Sequence, residues 1–118
     1  MAAKDELGRR GEDEAVRYLE RRGLVVLSRN WRCRDGELDV VAVDADRLVV
    51  CEVKTRSGTR FGEPAEAVTP RKAARIRRVT QAWLAAHHVR WCAIRFDVVA
   101  VLMEPDRPVT LQHYEAAF

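Results

Sequence analysis

Two apolar runs at the centre of the chain, residues 38–43 and 48–53, carry charges at one end and are joined by a short polar stretch at 44–47. Side chains along a strand alternate between faces. Leu38, Val40 and Ala42 therefore oppose Glu37, Asp39 and Val41, while Val49, Cys51 and Val53 oppose Val50, Glu52 and Lys54. Away from their charged ends both runs are apolar on both faces, which predicts strands in a covered sheet. The turn is short enough to make them an antiparallel hairpin. Each charged pair, Glu37 with Asp39 and Glu52 with Lys54, shares a face, so three carboxylates and a lysine can gather in one patch.

Before this hairpin, the period of residues 4–22 predicts a helix. On a helical projection Glu12 falls among Ala15, Val16 and Leu19, in the middle of the apolar stripe. A carboxylate there needs either an arginine partner or a cation, or else serves the positive end of the helix. Gly23 caps the helix, and residues 24–27 read as a short strand. Trp31, with Arg29, Arg32 and Arg34 around it, offers two readings: a ring that stacks on a base, or one that packs on the core.

After the hairpin, residues 57–69 contain Gly58, Gly62 and Pro64 and predict a loop that can fold over a substrate. Thr69 followed by Pro70 marks a helix start. This helix runs to about residue 87, with Ile76, Val79, Trp83 and Ala86 as its apolar stripe. Arg71, Arg75 and Arg78 form a separate basic stripe, either a solvated face or a contact for phosphates. Residues 92–103 predict a further strand, which after a helix can lie parallel in the same sheet. Asp97 within it reads as a structural acid. Residues 109–114 add a short edge strand. The whole reads as one domain, 1–118.

Composition narrows the function classes. Apolar residues make up 47% of the chain and charged ones 33%, a globular balance. No apolar run approaches the ~20 residues of a membrane span, and the first residues lack the apolar centre of a signal peptide, so the expectation is a cytoplasmic protein without a membrane partner. Cys33, Cys51 and Cys92 show neither disulfide nor zinc spacing and read as reduced, structural thiols. The net charge of +3 conceals a segregation: residues 37–53 hold one basic and five acidic groups, whereas residues 54–90 hold nine basic and two acidic ones. Such a layout suits a cation at the acidic centre and a polyanion across the basic segment.

Phosphodiester hydrolysis asks for this pairing, because a hard cation offsets both the repulsion of the nucleophile and the charge on the leaving oxygen. Asp39 and Glu52 can hold Mg²⁺ (or Mn²⁺) from two strands, with the carbonyl of Val53 as another ligand. Lys54 can orient or deprotonate the attacking water, or steady transition-state charge. Glu12 and Glu37 can bind through water or hold a second ion. Against this stands an ordinary ion pair between Glu52 and Lys54.

Asp39 followed thirteen residues later by Glu52-Val53-Lys54 resembles the PD-(D/E)XK nuclease signature of restriction endonucleases and Holliday junction resolvases. Gly11-Glu12, Tyr18-Leu19, Arg29-Asn30-Trp31, Gly36-Glu37-Leu38-Asp39, Glu52-Val53-Lys54-Thr55-Arg56, residues 64–68 and Ala117-Phe118 together resemble the bacterial YraN-like family of predicted endonucleases. The resemblance implies an α/β fold with a restriction-endonuclease-like αβββαβ core, a mixed central sheet flanked by helices. It also implies divalent-metal cleavage of DNA, branched or structured DNA such as Holliday junctions included. Carried over, it makes Asp39 and Glu52 metal ligands, Lys54 the catalytic lysine and Glu12 the helix acid near the metal. Glu37 stands near the position where the superfamily pattern has proline directly before its aspartate, a departure from that pattern. Arg56, Arg71, Lys72, Arg75 and Arg78, with Trp31, are the expected nucleic-acid contacts, and a single site per chain suits a homodimer. The competing reading is a nucleic-acid-binding module on a nuclease fold that does not cut by itself.

Overall fold

The computed structural model describes residues 3–57 and 68–118. Its elements are α1 (Ala3–Arg21), β1 (Val25–Cys33), β2 (Gly36–Asp44), β3 (Arg47–Arg56), α2 (Pro70–Ala86), β4 (Ile94–Leu102) and β5 (Thr110–Tyr114). The first six follow the αβββαβ order, and β5 extends the sheet. Strands lie in the order β1-β2-β3-β4-β5, with β3 and β4 parallel and the other neighbours antiparallel. A parallel pair needs a long crossover, and α2 supplies it.

The helices cover opposite faces. Ala15, Val16 and Leu19 of α1 pack with Val40, Ala42, Val49, Cys51, Val99 and Val101. Ile76, Val79, Trp83 and Leu84 of α2 pack with Leu38, Val41, Leu48 and Val50. This explains why the central strands are apolar on both sides. Thr69 caps α2 as its sequence predicts, accepting from the Lys72 N–H at 3.1 Å, and Pro70 opens the helix. The apolar stripe of α2 is shifted, however: Ala86 is exposed, and Thr80 and Leu84 are buried in its place. Thr80 is tolerated there because its hydroxyl donates to the Ile76 carbonyl at 2.8 Å.

Two departures from the sequence expectation shape the site. Strand β1 runs to Cys33 rather than ending at residue 27. Ser28, Arg29 and Asn30 look like turn residues, but β1 is an edge strand whose ladder to β2 continues through Arg29↔Val40 and Trp31↔Leu38. It is irregular, with a register shift between Val26 and Ser28 and a left-handed Asn30 at φ 52°. Secondly, Leu38 and Val40 do not share a face: Leu38 belongs to the α2 side and Val40 to the α1 side. The cause is a break in the sheet at Asp39. Pairing of β2 with β3 ends at Val40↔Cys51, whereas pairing with β1 continues to Gly36. The β1–β2 hairpin thus peels away from β3 at Asp39.

Among the described residues no helix is long and apolar enough to cross a membrane. Cys33, Cys51 and Cys92 are free thiols. Cys51 is fully buried, and burial pushes its thiol well up, so it behaves as a core hydrophobe. The loop expected at 57–69, with Gly58, Gly62, Pro64 and most of the 64–68 motif, falls largely on residues 58–67, which lie outside the described residues.

Candidate metal and nucleic-acid site

Where β2 leaves β3, the lost ladder contact is replaced by a side chain: the Val53 N–H donates to Asp39 Oδ2 at 2.9 Å. The gap opens into a cavity of about 430 Å³ lined by Glu37, Asp39, Glu52, Val53, Lys54 and Lys72, among others. A larger one, about 660 Å³, adjoins it, sharing Glu37, Asp39, Val53 and Lys54 and adding Glu12, Asn30 and Arg9. The three carboxylates and the lysine singled out by alternation therefore do meet at one opening.

Their electrostatics differ. Burial, and then the charge of Glu52, pushes the Asp39 carboxyl up to about 7, against the single opposing hydrogen bond from Val53 and the more distant pull of Lys72. Glu52 is 7% exposed and faces α2, where Lys72 Nζ lies 2.9 Å from its Oε1. The bland alternative to a metal site paired Glu52 with Lys54; at 2.9 Å the partner of Glu52 is Lys72. Lys72 sits on the cavity wall as a counter-ion to Glu52, although the basic segment alone assigned it to phosphate.

Glu12 is 7% exposed, as its place in the apolar stripe predicts. Burial pushes its carboxyl up, and Arg29 and Asn30 draw it partly back. Arg29 donates to Glu12 Oε1 from Nε and Nη2 at 3.1 Å each, and Asn30 Nδ2 donates to the same oxygen at 2.8 Å. The left-handed backbone at Asn30 aims this amide, a conformation that asparagine adopts more readily than most residues. The helix reaches this depth because Gly11 has no side chain: a Cβ there would lie 2.0 Å from Thr55 Oγ1.

Among the described residues, no three His, Cys, Asp or Glu side chains form a group that could hold a metal ion. In this arrangement Glu12 and Glu37 are each drawn to an arginine, Glu12 to Arg29 and Glu37 to Arg32. Arg32 Nε donates to Glu37 Oε2 at 3.0 Å on an exposed rim. What remains is Asp39, Glu52 and the Val53 carbonyl. That all-oxygen set fits a hard divalent ion, which takes one or two carboxylates and completes its shell with water or substrate oxygens.

The basic residues divide. Lys72 and Arg75 line the smaller cavity. Arg71 is exposed on the same helix but lines neither cavity, and Arg56, at the end of β3, lines neither. Arg78 borders a separate hollow with Arg77, Gln81, Ile94 and Phe96. Trp31 takes the packing alternative: it is half-buried against the α2 core cluster, its ring 6.0 Å from that of His87. Its position in β1 is opposite Leu38, which also belongs to the α2 side.

Sequence reasoning missed the parts played by Asn30, Arg29, Lys72 and Gly11. For Asn30 and Gly11 a signal exists, since both belong to the short motifs beside Trp31 and Glu12. For the Lys72–Glu52 pair none does, because it joins α2 to β3 across twenty residues of sequence.

The comparisons with known proteins point one way. The model of the uncharacterised protein family UPF0102 matches residues 11–101. A UPF0102 protein of Frankia alni is 58% identical over 118 residues, covering 100% of this chain and 98% of the relative. Another, from Acidothermus cellulolyticus, is 49% identical over 127 residues, covering 99% of this chain and 96% of its own. With a family match from the glycine beneath Thr55 almost to the end of β4, and full-length relatives at this identity, the chain belongs to the UPF0102 family.

Proposed function

We propose that this protein is a divalent-metal-dependent endonuclease of the PD-(D/E)XK type that hydrolyses phosphodiester bonds of DNA, with branched or structured DNA as the substrate class. The observation that carries the reading is the convergence of Asp39, Glu52, Val53 and Lys54 on one opening where β2 parts from β3. A binding module would gain nothing from buried carboxylates that repel phosphate.

Mg²⁺ or Mn²⁺, when bound, supplies Lewis-acid polarisation of the phosphate and a more acidic water. The chain's own residues do the rest. Asp39 and Glu52 would hold the ion from two strands, and the hydrogen bond from the Val53 N–H fixes the orientation of Asp39. Lys54, two residues from Glu52 and on the wall of both cavities, orients the attacking water or offsets developing charge. Glu12, fixed by Arg29 and Asn30, stands on the far wall. Arg75 and Lys72 give the strand a basic border.

A metal-titrated cleavage panel of duplex, flap, single-stranded and four-way-junction DNA tests this. Cleavage that requires Mg²⁺ or Mn²⁺ and disappears in Asp39→Ala and Glu52→Ala supports the reading. Binding of the same substrates without cleavage at any metal concentration would replace it with the binding-module reading.

A further inference from the structure

Lys72 occupies an unusual place for a cation. It is the third residue of α2, in the first turn, where the helix dipole favours acids; this turn contains none. Its own N–H is taken by the Thr69 cap. Its ammonium turns inward to Glu52 at 2.9 Å and also acts on Asp39, whose carboxyl it helps to hold down. Neighbouring Arg71 and Arg75 are exposed, whereas Lys72 is half-buried. A surface lysine kept for solubility would stay in solvent as Arg71 does, away from both cavities.

We propose that Lys72 is an internal counter-cation that stands in for the metal at Glu52 and is displaced when the divalent ion arrives. This rests on the endonuclease reading, because it presumes that Glu52 takes a metal. A carboxylate as buried as Glu52 needs a positive partner at all times. Two cations on one carboxylate oxygen repel, so metal and ammonium compete for Glu52. Once displaced, the four-carbon stem of Lys72 swings its ammonium into the cavity that it lines together with Arg75. There it meets a phosphate oxygen of the nucleic acid. Metal and nucleic acid then bind cooperatively: the ion releases a cation that the polyanion takes up, and linkage makes the effect reciprocal. In the metal-free protein the same lysine compensates Glu52 and keeps its own charge hidden.

Calorimetry with Mn²⁺ alone, without nucleic acid, separates this from a merely structural ion pair. Wild type, Lys72→Met and Glu52→Gln are titrated, with Lys72→Gln as a second variant should the first fold poorly. Competition predicts that Lys72→Met or Lys72→Gln binds Mn²⁺ about tenfold more tightly than wild type, a change of about 1.4 kcal/mol. Glu52→Gln loses the site. A second arm measures binding of a four-way junction in Ca²⁺: added Ca²⁺ strengthens binding by wild type more than by Lys72→Met. Mn²⁺ affinity unchanged or weakened in both lysine variants, with Glu52→Gln still losing the site, overturns the role of Lys72 and leaves the nuclease reading standing. Absence of Mn²⁺ binding in wild type and lysine variants alike overturns both.

Discussion

Two aspartates lie inside this sheet, Asp39 in β2 and Asp97 in β4, and their surroundings could hardly differ more. Asp97 is fully buried, and burial alone would raise its carboxyl. Instead His113 Nε2 lies 2.7 Å from Oδ2, Arg95 donates from Nε at 2.9 Å and Nη2 at 2.8 Å, and the Ala116 N–H donates to Oδ1 at 3.0 Å. Together they bring Asp97 down to about 2. His113 is anchored in turn by Tyr18 of α1 at 3.0 Å, so this acid ties β4, β5 and α1 together. Asp39 has one backbone donor and faces Glu52 and Glu37, and it is pushed up to about 7. An acid whose partners are all supplied by the chain is part of the scaffold. An acid left beside another acid, at the mouth of a cavity, is the kind that the proposed function gives to a cation from outside.

This contrast can be broken most forcefully at Asp97. Asp97→Ala removes the acid shared by Arg95, His113 and the Ala116 N–H, leaving the 10% exposed Arg95 only Glu115 at 3.2 Å and Asp44 at 3.7 Å, and should cost about 3–5 kcal/mol in urea unfolding. A loss under about 1 kcal/mol would show that the network is ornamental.

The pH dependence of the two acids should have opposite signs. Asp97 is lowered in the folded state, so its contribution is present above its unfolded value near 4 and lost as pH falls toward 2, amounting to about 2 kcal/mol. Asp39 is raised, so its contribution is greatest below pH ~4 and declines as pH rises through about 7. In a chelator, Asp39→Asn should therefore gain on wild type as pH rises from about 4 to 7, whereas Asp97→Asn should fall behind wild type as pH rises from about 2 to 4 and stay behind above that. Equal and parallel pH profiles for the two variants would erase the distinction.

Gly11→Ala should cost about 1–3 kcal/mol, read from thermal or urea unfolding, because its methyl would meet Thr55 and α1 must lift from β3 beside Glu12. The smallest effect belongs to Glu37→Gln, which removes an exposed pair with Arg32 and should change stability by less than about 1 kcal/mol.

How far the sequence could be read follows from the same physics. Among the described residues, period and alternation located α1, α2 and the strands β2 to β5, with only the start of β1, since they depend on burial, and placed Glu12 on the inner face of α1. Alternation failed at Leu38, because no periodicity reveals that β2 leaves β3 at Asp39. It also failed along Ser28-Arg29-Asn30, where an edge strand with exposed polar residues resembles a turn. Asp39, Glu52 and Lys54 were legible from charge within apolar runs. Their counter-ions were not: Arg29 with Glu12 and Lys72 with Glu52 are contacts between elements distant in sequence. The basic stripe showed the opposite weakness, since a common helix face did not bring Arg78 to the cavity that Arg75 lines.

The central claim, that Asp39 serves an external cation rather than the fold, is tested most directly by the Mg²⁺-dependent cleavage rate of a four-way DNA junction. Wild type and Asp39→Asn are compared where circular dichroism shows both folded. The account predicts cleavage by wild type and a rate reduced at least about a hundredfold in the variant, with its folded stability undiminished. Equal rates for the two proteins would contradict it.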